Sequence, residues 1–285
     1  MIRKLFLVLI SIFLISCISK RKETSDVVLE KKDSVVVRQD LKKYFDSCGV
    51  TGSIVIYDNV KHKWILSDNV DTNVETLPAS TFKIANLLIA LETKTISSEN
   101  DVVKWVGTTD TVKYGYRPEI YHDMTVKEAF EVSAGWVFIE LAKKIGRKNY
   151  EKYLKLCHYG NVNLSQKDND FWNFGDFGIS PVNQVEFVKK LYDEKLPFSK
   201  RNMQIVKNVM LGEKGSGYEI HSKTGWTREK GFNIGWWVGY IQKENGSYFF
   251  ATRLLQNRNS NRADFGSCRK DITKKVFKDL KITSF

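Results

Sequence analysis

A serine and a lysine three residues apart open a long apolar segment and could together form an acyl-transfer site. If the segment is a helix, Ser80 and Lys83 share a face and can meet. A serine hydroxyl is a poor nucleophile at neutral pH and needs an adjacent base. A lysine amine is such a base only when its pKa falls or the amine is modified. The same spacing recurs at 19–22 and 267–270, but only Ser80 follows a proline at the start of a long apolar helix.

Three short motifs elsewhere in the chain carry further polar groups. Lys223-Thr224-Gly225 lies on a predicted strand, where Lys and Thr can bind an anionic group and Gly lets a substrate approach the backbone. Ser133-Ala134-Gly135 begins a predicted helix, and Tyr159-Gly160-Asn161 ends one. Taken alone, the latter two have structural interpretations, with Ser133 as a helix N-cap and Gly160 as a C-cap.

The elements that must position these residues are strands at both ends of the chain and helices between them. Asp58-Asn59 and Asn245-Gly246 predict β-hairpins, and the segment from about residue 84 to residue 212 has helical periodicity. The predicted strands are Gly52–Tyr57, Trp64–Leu66, Tyr218–Thr224, Gly231–Gln242 and Tyr248–Leu255, and the predicted terminal helices are 35–47 and Ile272–Ile282. We therefore expect an α/β (α+β) fold, in which one antiparallel sheet is flanked by the terminal helices and carries an inserted all-helical lobe.

Together the motifs resemble those of the class D serine β-lactamases, the oxacillinases. Pro78–Ile84, with the following Asn86 and Leu88–Glu92, is similar to that family's nucleophile helix almost residue for residue. The other similar segments follow in the family's order and are Tyr159-Gly160-Asn161, Phe171-Trp172, Ile179–Pro181, Lys223–Trp226 and Gly235–Gly239. The resemblance extends from about Gly52 to Ile282, nearly the whole mature chain.

The resemblance implies a β-lactamase/penicillin-binding-protein transpeptidase-like fold and hydrolysis of β-lactam antibiotics, which confers resistance. Residues 34–285 would form a single catalytic domain. Its α/β lobe would comprise about 34–79 and 214–285, and its helical lobe about 80–213. The partner would be a small-molecule β-lactam substrate, with no metal and no cofactor beyond the CO₂ or bicarbonate that modifies a lysine.

The resemblance also implies a role for each motif residue. Ser80 would be the acylated nucleophile, and Lys83 would carry a carbamate (N6-carboxylysine) and act as general base, because burial favours the neutral amine that reacts with CO₂. Trp172 would donate its indole N–H to the carbamate, and Ser133 would relay a proton to the departing β-lactam nitrogen. The substrate-binding residues would be Lys223, Thr224 and Arg269 at the drug carboxylate and Gly225 and Trp226 on the same strand, with the backbone N–H groups of Ser80 and Trp226 as the oxyanion hole.

One position departs from the family pattern, in which a valine covers the modified lysine. Here the motif reads Ser133-Ala134-Gly135, so that side chain is absent. We expect Lys83 to lose its carbamate more readily than in the family, and the rate to rise when bicarbonate is added. The alternative is the opposite effect, in which easier access of water speeds the deacylation of bulky drugs.

The N-terminus predicts export and a lipid anchor. Arg3 and Lys4 precede an apolar run, Leu5–Ile15, whose length is typical of a secretory signal and too short for a transmembrane helix. Leu14–Cys17 resembles a bacterial lipoprotein signal, so residues 1–16 would be the signal peptide and residues 17–33 a tether. Lipidated Cys17 would anchor the protein to a membrane, facing the periplasm or the cell exterior. The alternative is an ordinary cleaved signal peptide with an incidental cysteine.

Composition and charge argue against several other classes of protein. Of the 285 residues, 42% are hydrophobic and 27% charged, as in an ordinary globular protein. The formal net charge is +12, but the basic residues are spread evenly and no nucleic-acid module is present, so we expect no nucleic-acid partner. Cys48, Cys157 and Cys268 remain after Cys17, so at least one thiol is unpaired within the chain, and their spacing does not favour a zinc site. The sequence does not specify the oligomeric state.

Other functions share the same serine and lysine apparatus. A β-lactam sensor domain acylates and hardly deacylates, but it is normally attached to a transmembrane signalling segment, and this chain shows only the lipoprotein signal. A penicillin-binding protein acting on cell-wall peptides normally has Ser-x-Asn as its second motif and lacks Tyr-Gly-Asn. The intact Ser80, Lys83, Ser133 and Lys223 argue against a catalytically inactive structural lipoprotein.

Overall fold

The computed structural model describes residues 33–260 and 264–283. The predicted signal peptide, Cys17 and all of the predicted tether except Asp33 lie outside the described residues. Within the described part, no helix has both the length and the apolar character that crossing a membrane requires.

A seven-stranded sheet in the order β1-β3-β2-β9-β8-β7-β6 brings together strands from both ends of the chain. The strands of the described residues are β1 (Ser34–Val37), β2 (Thr51–Asp58), β3 (Lys63–Leu66), β4 (Val102–Val103), β5 (Met124–Thr125), β6 (Leu211–Gly215), β7 (Tyr218–Glu229), β8 (Phe232–Lys243) and β9 (Gly246–Asn257). Neighbouring strands of the sheet are antiparallel, except that β1 and β3 are parallel. Strands β4 and β5 form a separate ribbon.

The central strands are apolar because both faces of the sheet are covered. Strand β8 is buried continuously from Asn233 to Ile241, so its apolar residues run almost without interruption. Trp236 belongs to the core on one face and Trp237 to the core on the other. The β2–β3 and β8–β9 hairpins confirm the two turn predictions.

Helices cover both faces of the sheet. They are α1 (Lys42–Asp46), α2 (Lys83–Glu92), α3 (Thr111–Tyr114), α4 (Val126–Glu131), α5 (Gly135–Ile145), α6 (Arg147–Cys157), α7 (Pro181–Tyr192), α8 (Lys200–Val209) and α9 (Phe265–Asp279). Helices α1 and α9 share a core with one face, through residues such as Phe45 and Phe277. Helices α2 and α4 to α8 form a second core with the other face. The predicted fold class is confirmed. The inserted lobe is not all-helical as predicted, because it contains the ribbon β4–β5.

The two predicted terminal helices were wrong in their bounds. Residues 35–47 do not form one helix, because consecutive valines favour an extended chain and Ser34–Val37 pairs with β3 instead. The closing helix begins at Phe265 rather than at Ile272 and ends at Asp279. Phe265, Cys268 and Ile272 are all buried, so the helical spacing of core residues starts before the apolar run that the sequence prediction used.

A disulfide joins the end of α1 to the first turn of α9. Cys48 and Cys268 are bonded, with their Cα atoms 6.2 Å apart. Cys157 is buried and has a free thiol, which confirms that one cysteine of the described chain is unpaired. The disulfide therefore fixes helix α9, which carries Arg269, to the residues that follow α1.

Removing this disulfide is expected to destabilise the fold. The double variant Cys48→Ser, Cys268→Ser should lower the free energy of unfolding by about 2–5 kcal/mol. The reason is that the disulfide links residues 220 positions apart and so lowers the conformational entropy of the unfolded chain. Chemical denaturation checks this, and a thiol reductant should destabilise the wild type while leaving the double variant unaffected. Equal stability of the two proteins without reductant would contradict the prediction.

Candidate active site

A cavity of about 1050 Å³ lies beside strand β7, where the helical insertion meets the sheet. Its walls come from the turn before α2, the segment between residues 109 and 136, residues 173 and 174, the β7–β8 hairpin and the start of α9. The sequence-predicted residues that line it are Ser80, Lys83, Ser133, Thr224, Gly225, Trp226 and Arg269. The structure thus brings together residues that are up to 189 positions apart in the chain.

Ser80 lies in a tight turn that leads directly into α2. The turn is a 3₁₀ helix, Ala79–Phe82, and Ala79 has a φ of +52°, a conformation that residues other than glycine rarely adopt. The Ala79 N–H donates to the Trp172 carbonyl at 2.9 Å. The strained turn is therefore held by a hydrogen bond to another segment of the site.

Strand β7 passes close to this turn at Gly225. A Cβ atom at Gly225 would lie 2.8 Å from the Pro78 carbonyl oxygen and 3.3 Å from the Ser80 nitrogen. Such contacts cannot be accommodated without a backbone shift. Glycine at this position therefore allows the strand to approach the turn that carries Ser80. The Trp226 N–H, on the next residue, is thereby brought towards Ser80.

The Ser80 hydroxyl and the Lys83 amine meet as their spacing predicts. Lys83 Nζ donates to Ser80 Oγ at 2.9 Å. Lys83 is only 1% exposed. Burial, followed by the positive charges of Lys223 and Arg117, holds the pKa of Lys83 well below its usual value. A neutral amine has a lone pair, so Lys83 can accept a proton or react with CO₂.

Trp172 packs beside the start of α2 and has an unused hydrogen-bond donor. Its ring stacks on Phe82, the residue next to Lys83, with ring centroids 5.0 Å apart. The side chain is fully buried, and its Nε1 has no hydrogen-bond partner among the described residues. Leaving a buried N–H unpaired costs about 1–3 kcal/mol. Trp172 is not among the lining residues of the cavity, but its buried N–H is available to an acceptor group beside its ring.

Two buried hydrogen-bond networks that the sequence did not reveal hold helix α2 and the turn before it in place. Gln184 on α7 donates to Thr81 Oγ1 at 2.9 Å. Tyr150 on α6 donates to Asn86 Oδ1 at 2.9 Å. All of these side chains are buried, so they fix α2 against its neighbours without facing the cavity.

Ser133 and Lys223 form a second polar pair in the site. Ser133 is not a helix N-cap, because α5 has Ala134 at that position and no capping side chain. Instead Ser133 has a φ of +59°, and its Oγ accepts a hydrogen bond from Lys223 Nζ at 3.1 Å. Burial, together with the charges of Arg269 and Lys270, lowers the pKa of Lys223 to about 7. Ser133 is thus linked to a group that can gain or lose a proton near neutral pH.

Arg269 and Trp226 form the wall beyond Lys223. Arg269 donates from Nη1 to the Gly225 carbonyl at 2.7 Å, and its guanidinium lies 5.9 Å from the centre of the Trp226 ring. Burial lowers the pKa of Arg269 to about 10, so it stays charged at neutral pH. Trp226 is 49% exposed and presents an aromatic surface to the cavity.

Gly135, at the start of α5, leaves open space in the cavity that Lys83 also lines. Both residues line the cavity. A Cβ atom built at Gly135 would have no described heavy atom within 4 Å. Its φ is not in the left-handed region. A larger side chain is therefore sterically possible at this position, and none fills it here.

The Gly160 motif lies in the loop that leads to Trp172. Gly160 is not the C-cap of α6, because His158 takes that position in the left-handed conformation. A Cβ atom at Gly160 would lie 2.3 Å from the Gly178 carbonyl oxygen, so glycine is required where two parts of the loop cross. Asn161 donates to the Asp176 carbonyl at 3.0 Å and supports the same crossing.

A buried ion pair that the sequence analysis missed joins this loop to α3. Lys113 Nζ lies 3.0 Å from Asp170 Oδ2, and Tyr114 Oη donates to the same oxygen at 2.5 Å. Asp170 is fully buried two residues before Trp172. The pair therefore holds two walls of the cavity together, and no spacing in the sequence signals it because its members are 56 to 57 residues apart.

Among residues 33–260 and 264–283, no group of three or more His, Cys, Asp or Glu side chains could hold a metal ion. The donors gathered at the cavity are instead hydroxyls, amines, guanidinium groups and an indole. Such a set can bind an anion, activate a hydroxyl and stabilise charge that develops on an oxygen.

Residues 38–278 match the family model described as the penicillin binding protein transpeptidase domain. Beta-lactamase OXA-10 of Pseudomonas aeruginosa is 39% identical over 224 residues, which are 78% of this chain and 82% of that protein. The probable beta-lactamase YbxI of Bacillus subtilis is 35% identical over 227 residues, which are 80% of each protein.

Solved structures of similar sequence superpose on this chain over most of its length. The class D beta-lactamase from Sebaldella termitidis superposes with a TM-score of 0.83 at 38% identity, over 89% of this chain and 100% of that one. FUS-1 (OXA-85), a class D beta-lactamase from Fusobacterium nucleatum, superposes with a TM-score of 0.80 at 28% identity, over 87% of this chain and 100% of that one.

Proposed function

The chain belongs to the class D β-lactamases, and from that premise we propose that it hydrolyses penicillins and related antibiotics through an acyl-enzyme on Ser80 and thereby protects a cell from them. The observation that carries this proposal is the 2.9 Å contact between Ser80 Oγ and the buried amine of Lys83 at the cavity wall. The hydroxyl has a base within reach and a space in front of it for a substrate.

In acylation, Ser80 Oγ attacks the β-lactam carbonyl carbon and its proton passes to the base. We assign the backbone N–H groups of Ser80 and Trp226 to the developing oxyanion. The C–N bond of the lactam then breaks, and Ser133 delivers a proton to the nitrogen. Lys223, which donates to Ser133 Oγ at 3.1 Å, can replace that proton. Lys223, Thr224 and Arg269 would hold the drug carboxylate, because these groups converge beyond the nucleophile.

Lys83 is proposed to carry a carbamate, and its surroundings fit that group. The neutral amine can bond to the carbon of CO₂ with loss of one proton, and the unpaired N–H of buried Trp172 is a donor for an anionic oxygen. The group would supply an acceptor for the Ser80 proton and, after acylation, for a proton of the hydrolytic water. Ser80 is then released when water cleaves its ester.

The purified protein mixed with a chromogenic cephalosporin, with and without bicarbonate, tests this function. Continuous turnover is expected, because a β-lactamase deacylates. A single burst equal to the amount of protein would contradict hydrolysis and indicate a sensor or a penicillin-binding protein. Intact drug and unmodified protein would exclude all three.

Gly135→Val is expected to make the enzyme less dependent on bicarbonate. The side chain would fill the open space near Lys83 and shield the carbamate from water. Carbamate occupancy, measured by ¹³C NMR with ¹³C-bicarbonate, should rise in the variant at low bicarbonate, and the bicarbonate response of the rate should shrink. Full occupancy in the wild type without added bicarbonate would contradict the proposal. Slower hydrolysis of bulky drugs at equal occupancy would favour the water-access alternative.

The alkaline side of the pH profile should report the proton of Lys223, whose pKa is about 7. Below this pH Lys223 is charged and attracts the drug carboxylate, and above it that attraction is lost. We therefore expect kcat/KM of a penicillin to fall as pH rises through about 7, since kcat/KM reports the free enzyme. An ester of the same penicillin has no charge to attract and should lack this decline. A decline of equal size with both substrates would assign it to proton delivery through Ser133 and not to attraction of the carboxylate.

We further propose that residues 34–285 act as one catalytic domain of an exported lipoprotein, anchored through Cys17. The apolar Leu5–Ile15 followed by Cys17 supports this. The disulfide Cys48–Cys268 also supports it, since such bonds are typical of exported proteins. Cys17→Ser should move the protein from the membrane fraction to the soluble fraction, and unchanged fractionation would contradict the anchor.

A further inference from the structure

The described lining of the cavity contains more basic side chains than the proposed reaction requires. Among its described lining residues are seven Lys and Arg side chains and no Asp or Glu. They are Lys83, Lys113, Arg117, Arg228, Lys230, Arg258 and Arg269. A cleft lined by one sign of charge concentrates ligands of the opposite sign.

Most of these basic side chains already have a partner or a role. Lys113 pairs with Asp168 and Asp170, Arg117 with Glu119, and Lys230 with Glu229. Lys83 lies beside the nucleophile, and Arg269 is assigned to the drug carboxylate. Arg228 and Arg258 remain, and neither side chain has an ion pair or hydrogen bond within the described residues. Both are exposed.

The two remaining arginines lie at the same end of the cavity. Arg228 is on β7 and shares a face with Thr224 and Trp226, because alternate residues of a strand point the same way. From Thr224 to Arg228 the strand advances about 13 Å. Arg258 follows β9, and its N–H donates to the Gly231 carbonyl at 3.0 Å, which places it at the β7–β8 turn.

Aromatic surface accompanies these charges. Trp226 and Phe232 both line the cavity and are 49% and 41% exposed. Phe232 pairs with Asn257, the residue before Arg258, in the β8–β9 register. This end of the cavity therefore offers aromatic rings and unpaired guanidinium groups side by side. An aryl group that carries an anion has the complementary chemistry.

We propose that Arg228 and Arg258 form a subsite for a second anionic group on the acyl side chain of the β-lactam, with Trp226 and Phe232 contacting an aryl ring of that side chain. A penicillin has its ring carboxylate and its acylamino group at opposite ends of the bicyclic nucleus. With the ring carboxylate at Lys223 and the carbonyl at Ser80, the acyl side chain extends along β7 towards Arg228. This assignment rests on the proposed function. The substrates that the subsite would favour are aryl penicillins with an additional carboxylate or sulfonate.

Benzylpenicillin and carbenicillin test the subsite, since they differ by one carboxylate on the side chain. The measured quantity is the ratio of kcat/KM for carbenicillin to kcat/KM for benzylpenicillin at low ionic strength. In the double variant Arg228→Gln, Arg258→Gln this ratio should fall by about fivefold or more, because only carbenicillin loses a charge partner. Thermal unfolding of the variant should match the wild type, since both side chains are exposed.

The double variant Lys61→Gln, Lys152→Gln is the matched control. It removes the same net charge from exposed residues that do not line the cavity, so its ratio should equal that of the wild type. An unchanged ratio in the arginine variant, or an equal fall in the control, would overturn the subsite. If the wild type does not turn over benzylpenicillin, the proposed function fails instead, and the two failures are distinguishable.

Discussion

Ser80→Ala is expected to abolish hydrolysis of a chromogenic cephalosporin, with kcat lower by about 10⁴-fold or more. Without the hydroxyl no ester forms, and the amine of Lys83 has no proton to accept from residue 80. Steady-state absorbance measures the rate, and intact-protein mass spectrometry after incubation with penicillin should show no added drug mass.

Ser267→Ala is the matched control for this variant. Ser267 has the same spacing to a lysine, Lys270, but its hydroxyl is exposed and donates to the Asp264 carbonyl at 3.0 Å. It lies outside the described cavity lining, so turnover should persist. A stable drug adduct on the Ser80→Ala protein would show that another residue is the nucleophile.

Lys83→Ala is expected to convert the enzyme into a penicillin trap. Loss of the base should slow acylation by about 10²–10⁴-fold, a typical contribution of general-base catalysis. It should also block deacylation, because no other described group is hydrogen-bonded to Ser80 Oγ to activate the water. One equivalent of drug should attach slowly and remain attached for hours in a mass-spectrometric time course.

The amount of drug bound distinguishes this result from a general loss of structure. Added bicarbonate should not rescue Lys83→Ala, because the variant has no amine to modify. A folded Lys83→Ala protein should still bind one equivalent of drug, whereas an unfolded one should bind none. Continuous turnover at the wild-type rate would contradict the assignment of Lys83 as the base.

The contact between Ser80 and Lys83, on which the proposed chemistry depends, was predictable from the sequence because their spacing is local. Ser80 and Lys83 are one helical turn apart, and helix geometry alone brings their side chains to 2.9 Å. The hairpins were predictable for the same reason, since short turns at 59–62 and 244–245 separate strands of apolar character. Lys223, Ser133, Trp172 and Arg269 were placed by resemblance to a family, and the structure brings them to one place.

The contacts that were missed join residues far apart in the chain. Asp170 pairs with Lys113 across 57 positions, and nothing in either segment marks a buried carboxylate. Cys48 and Cys268 are 220 positions apart, and the odd cysteine count left their pairing open. The strand at Ser34–Val37 depends on its partner β3 and not on its own periodicity, which had suggested a helix.

The pairing of β2 with β9 dictates when the molecule can fold. Thr51 lies opposite Leu255, so the middle of the sheet cannot close until the last fifth of the polypeptide is available. Contacts between such distant segments are slow to form, because a large loop must be ordered first. The turn that carries Ser80 rests on this sheet, so a nascent chain that lacks β9 does not yet have the proposed site. We therefore expect activity only after synthesis has passed β9.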